Sequence, residues 1–245
     1  MGRFLHTAFS LGYGAIAPFR KRSIGVAAAL TALALVSVAN PAAAADPVRV
    51  VALGDSLTQG YGLPPEEGFV PQLQGWLDAE GHDAIVINAG VSGDTTAGGL
   101  NRLDWTLADA PDAMIVALGG NDLLRGLDPA GSRANLDAIL QRVTAQDIPV
   151  LLVGIPAPGN YGPDFKRDFE AMYPELAAEY DVRHYPNFLQ PMTDKQEAGQ
   201  SFTDLMQSDN IHPNAAGVAL IVTAMGPEVA ALIGEVKAQA APATQ

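Results

Sequence analysis

The chain has 245 residues, no cysteine, and a formal charge of −13 from 14 basic and 27 acidic residues. Without cysteine it has no thiol nucleophile, thiolate metal site, disulfide framework or lipid anchor on a cysteine. The acidic excess repels phosphate backbones and anionic bilayers, so neither a nucleic acid nor a membrane surface is an expected partner.

Residues 1–45 carry Arg3, Arg20, Lys21 and Arg22 and no acidic residue, and an apolar run of 16 residues, Ile24 to Ala39, leads into the alanines Ala42 to Ala45. A basic head, a short apolar core and a small-residue cleavage site predict a secretory signal peptide. The run is shorter than the roughly 20 residues of a spanning helix. Cleavage is therefore expected near Ala45-Asp46, giving a periplasmic or secreted protein with no stable membrane insertion. Removing the four leader cations leaves 10 basic against 27 acidic residues, a net of −17 over 200 residues. That length is one domain with ample core. The domain is expected over 46–237, followed by a frayed tail over 238–245.

Val48 to Leu53 (VRVVAL) reads as a buried strand. Glu66 to Glu80 follows as a helix, with Phe69, Leu73, Trp76 and Leu77 at helical spacing and Gly81 as its stop. Strands are then expected at Ala84 to Asn88, Ala113 to Leu118 and Val150 to Gly154, with a short one near Val182 to Tyr185. Helices are expected at Thr96 to Leu107, Pro129 to Ala145, Asp164 to Tyr180 and Pro213 to Val236. Short apolar strands alternating with helices imply a central parallel sheet covered on both faces, an α/β fold in three α/β/α layers. In such sheets ligands bind beyond the carboxyl ends of the strands.

The polar, glycine-rich segments fall at those ends. Gly54-Asp55-Ser56-Leu57 follows the first strand, Ser92-Gly93-Asp94-Thr95 the second and Gly119-Gly120-Asn121-Asp122 the third. Asp209-Asn210-Ile211-His212-Pro213 opens the last helix. Ser56 is placed as a nucleophile just past a buried strand. Asp209, three residues before His212, can reach its Nδ1 and orient it as a base. Taken singly, each segment has a structural explanation: Asp55 and Ser56 as a cap, Gly93 and Asn121 as turn residues, Asp209 as a helix cap. Of the other histidines in the mature chain, His82 in a turn and His184 near a short strand are read as surface residues. The chain lacks H-E-x-x-H, EF-hand and phosphate-loop patterns, so no metal or cofactor is expected.

Together, in this order, the four segments resemble the sequence blocks of the SGNH (GDSL-type) hydrolases, over essentially the whole mature chain. Asn210 stands where that family often has glycine. The resemblance implies a flavodoxin-like hydrolase fold and a triad of Ser56, Asp209 and His212. It also implies an oxyanion hole from the N–H groups of Ser56 and Gly93 and the side chain of Asn121. Within the family the chain is similar to the arylesterase, acyl-CoA thioesterase and lysophospholipase branch, and Asn160-Tyr161-Gly162 is similar to a mobile loop lining the acyl groove there. The implied substrate is a small carboxylic ester or thioester. A carbohydrate acetyl esterase and a binding module of the same fold without turnover are the alternatives.

Overall fold

The computed structural model describes residues 46–199 and 201–241. The leader expected over 1–45 and residues 242–245 of the expected tail lie outside them. The chain enters β1 (Val48–Gly54), a short helix α1 (Ser56–Gln59), helix α2 (Phe69–Ala79) and β2 (Ala84–Gly90). It continues through α3 (Thr96–Asn101), α4 (Leu103–Leu107), β3 (Ala113–Ala117), α5 (Gly120–Leu124), α6 (Pro129–Thr144) and β4 (Val150–Val153). α7 (Pro163–Glu179), β5 (Arg183–Tyr185), α8 (Gln190–Glu197) and α9 (Ala215–Ala240) complete it.

All five strands are parallel, in the order β2-β1-β3-β4-β5. Alternate side chains serve opposite faces, as the strand period requires. Val50, Ala52, Ile115 and Leu151 pack with Phe69, Leu73 and Leu77 of α2 and Ile221, Met225 and Val229 of α9. On the other face Val51, Leu53, Met114 and Leu152 pack with Leu136, Ile139 and Leu140 of α6 and Phe169, Met172 and Leu176 of α7. The layers are those expected. α9 is apolar enough, at a mean hydropathy of 1.9, to pass for a membrane span, yet half of that stretch is buried within the fold. It also runs to Ala240, three residues into the segment expected to fray.

Two boundaries differ for physical reasons. The helix expected over Thr96 to Leu107 is two helices meeting at Arg102, whose φ of −105° and ψ of 9° leave the α region. The helix expected from Glu66 begins at Phe69, after a 3₁₀ turn over Pro65–Glu67 and an extended Gly68. Because β1 lies between β2 and β3, the chain changes direction across the sheet at β1, and a crevice opens beyond the carboxyl ends of β1 and β3.

Candidate active site

Ser56 stands at that crevice as the first residue of α1. Asp55 caps the helix, its Oδ1 accepting the N–H of Leu57 at 3.0 Å. Across from it, Asp209 to Pro213 forms a tight turn held by one carboxylate. Asp209 Oδ1 accepts the N–H groups of Ile211 (2.9 Å) and His212 (3.0 Å), and Oδ2 lies 2.6 Å from His212 Nδ1. His212 Nε2 is 2.8 Å from Ser56 Oγ. A carboxylate at Nδ1 can only accept, so it fixes the proton there and leaves Nε2 free to accept from the serine hydroxyl. The bonds from the side chain and backbone of His212, then from Ile211, pull the Asp209 carboxyl down to about 2. Asn210 has a φ of +55°, a left-handed conformation that asparagine tolerates well, so it serves where glycine is frequent. Pro213 does not open the last helix as expected. It forms an isolated bridge with Met206, and Asn214 caps α9 by accepting from Gly217 N–H.

Asn121 lies on the first turn of α5 and lines the same cleft as Ser56 and His212. The turn before it needs Gly119 at φ +118°, where a Cβ would sit 2.2 Å from the Tyr173 hydroxyl. Asn121 Nδ2 donates to Asp55 Oδ2 at 3.4 Å. An acceptor-only neighbour turns the amide nitrogen toward itself, leaving the second N–H of the same group for the cleft. Asp55 is 3% exposed, and burial pushes its carboxyl up to about 6, against the pull of Leu57 N–H and Asn121. Its depth in the fold was not visible in sequence.

Gly93 does not line the cleft; it occupies the turn after β2 at φ +84°. That turn is tied to β1, the strand that leads into Ser56, by Val91 N–H donating to Gly54 O at 3.0 Å and by Arg102, which bonds both Asp94 (2.5 Å) and Gly54 O (2.8 Å). Arg125, just after α5, donates to Gly93 O at 2.8 Å. The N–H groups of Ser56 and Gly93 carry no hydrogen bond among the described residues. Asp122 is buried and accepts from Thr96 N–H and from the hydroxyls of Thr96 and Ser132, a structural knot behind the site. Sequence reasoning missed Arg102 and Arg125, because only long-range contacts reveal them.

The cleft has a volume of about 230 Å³, and its apolar wall comes from Leu123, Leu124, Ile155, Pro158, Leu189 and Ile211. Of the loop after β4, Ile155 and Pro158 reach it, whereas Asn160 to Gly162 do not. His82 packs against Trp76, and His184 on β5 is half-buried rather than the surface residue expected, its Nε2 without a hydrogen-bond partner among the described residues.

A serine hydroxyl aimed at an imidazole that is itself held by a carboxylate is the arrangement from which acyl transfer proceeds. Residues 52–220 match the GDSL-like Lipase/Acylhydrolase family, a span that holds all four segments. The chain belongs to this family. Among relatives of this acylhydrolase, esterase TesA of Pseudomonas aeruginosa is 39% identical over 202 residues, 82% of this chain and 96% of that protein. Thioesterase 1/protease 1/lysophospholipase L1 of Escherichia coli is 37% identical over 202 residues, 82% of this chain and 91% of that protein. The crystal structure of AlinE4, an SGNH-hydrolase family esterase, superposes with a TM-score of 0.62 at 44% identity, covering 76% of this chain and 96% of that one.

Proposed function

We propose that this acylhydrolase is an exported serine esterase acting on aryl and short- to medium-chain esters or thioesters. Ser56 Oγ attacks the carbonyl carbon while His212 Nε2 takes its proton, and Asp209 stabilises the imidazolium so formed. The N–H of Ser56 and the amide of Asn121 receive the oxyanion, joined by the N–H of Gly93, which lies outside the apolar cleft and carries no hydrogen bond among the described residues. Collapse breaks the bond to the leaving oxygen or sulfur, which takes the proton from His212. Water then deacylates Ser56 by the same proton route.

The observation that carries this reading is the Asp209–His212–Ser56 hydrogen-bonded chain opening on an apolar cleft. At about 230 Å³ the cleft is smaller than the roughly 300–1,000 Å³ of drug-sized ligand sites, which suits a short to medium acyl chain. Its leucine, isoleucine and proline wall offers a sugar acetate few polar partners, which disfavours a carbohydrate esterase.

A fluorophosphonate probe should label Ser56 in the wild type and nothing in Ser56→Ala. Along a p-nitrophenyl ester series, kcat/KM should climb by up to about fourfold per carbon, the worth of about 0.8 kcal/mol per buried CH₂, then level off once the cleft is full. No labelling, or a rise that continues to long chains and triglyceride droplets, refutes the proposal.

A further inference from the structure

One exposed ring beside the site has no part in this chemistry. Tyr61 follows α1, its N–H donating to Ser56 O at 3.1 Å and its carbonyl accepting from Gln207 Nε2 at 2.8 Å. Its backbone is therefore tied both to the nucleophile's helix and to the segment that carries His212. The residue is 51% exposed, and its hydroxyl makes no hydrogen bond among the described residues. Its ring centroid lies 4.8 Å from that of His212 at an interplanar angle of 43°.

Tyr61 does not line the apolar cleft. It belongs to a small pocket with Gly60, Leu63 and Gln207 that shares only Ser56, Leu57 and His212 with the cleft. The ring and the cleft, the place an acyl chain would fill, are thus separate neighbours of the Ser56–His212 pair. The two halves of an ester separate at that pair. The acyl half remains bonded to Ser56 Oγ, and the leaving oxygen must come within hydrogen-bond reach of His212 Nε2 to take its proton. Whatever that oxygen carries passes the imidazole, and the exposed ring beside the imidazole is Tyr61.

We propose that Tyr61 is a specificity-determining residue whose open ring face stacks on an aromatic leaving group, favouring esters of phenols and arylmethanols over those of aliphatic alcohols. The proposal rests on His212 acting as the acid that protonates the leaving group. Tyr61 itself exchanges no proton: the carbonyl C–O bond breaks, His212 supplies the proton and the alcohol departs. Ring pairs hold beyond their buried area when their centroids are about 4.5–7 Å apart, so a ring is recognised there more strongly than a saturated group of equal size.

The test compares benzyl butanoate with cyclohexylmethyl butanoate, which share the acyl group and differ in the aromaticity of the alcohol. The wild type should favour the benzyl ester in kcat/KM, although the saturated ring is the bulkier apolar group. Tyr61→Phe should keep that ratio, and Tyr61→Leu should reduce it about 3- to 10-fold, the range expected for one lost ring pair. Any loosening of His212 in Tyr61→Leu slows both esters alike and leaves the ratio intact. An unchanged ratio in folded Tyr61→Leu overturns the proposal alone, whereas hydrolysis of neither ester by the wild type overturns the esterase reading with it.

Discussion

Asp55 should make the protein less stable at neutral pH than it would be without that charge. The carboxyl is 3% exposed, and burial moves it from an ordinary 3.8 to about 6. A change of that size corresponds to about 3 kcal/mol. The sign follows from proton binding. Between pH 3.8 and about 6 the folded protein holds a proton on Asp55 that the unfolded chain has released. This contribution to stability is therefore fully present below 3.8 and is lost as pH rises through about 6.

Asp55→Asn removes the charge but weakens the bonds from Leu57 and Asn121, a loss of about 1 kcal/mol. At pH 8 the variant should be about 1–2 kcal/mol more stable, which for a domain of this size is a Tm rise of about 2–8 °C. Near pH 4 the advantage should vanish or reverse. Urea unfolding of both proteins from pH 4 to 8 measures the swing, and contributions from ionisable groups that do not act on Asp55 cancel in the difference. His212 and Asp122 act electrostatically on Asp55 and are the groups that could blunt it. A stability difference that stays flat across that range would refute the account of a carboxylate held against its charged form.

Two further outcomes follow from the site and the leader. Asn121→Ala should fold normally and lose about 10²–10³ in kcat, the usual cost of one oxyanion donor; unchanged kcat in the folded variant removes Asn121 from the site. The exported protein should begin within a few residues of Asp46, and intact-mass measurement finding Met1 on the exported form would contradict the leader.

The centre of the parallel sheet was legible because β3 and β4 are continuous apolar runs and β1 nearly so, and a strand buried on both faces leaves that trace in any sequence, whereas β5 is Arg183-His184-Tyr185 and only half-buried. Ser56, Asn121, Asp209 and His212 were legible as residue types at element edges, and the structure gathers them at one crevice. The short helices α1 and α5 were not, since four or five residues are too few to display a period. Nor was α8, a polar helix with Met192 as its one buried side chain. The break at Arg102 stayed hidden for another reason. Its side chain reaches Gly54, 48 residues away, and no local pattern encodes such a partner. The depth of Asp55 is likewise a property of the assembled layers, because a carboxylate in a turn is ordinarily exposed.

The partners His212 and Ser56 are separated by 156 positions in the chain. In synthesis from the amino end, the hydroxyl is made well before the imidazole. Until the segment that carries His212 docks, Ser56 has no imidazole within hydrogen-bond reach. Under the proposed mechanism hydrolytic power therefore arrives only when these two distant segments dock, so turnover itself reports that they have met.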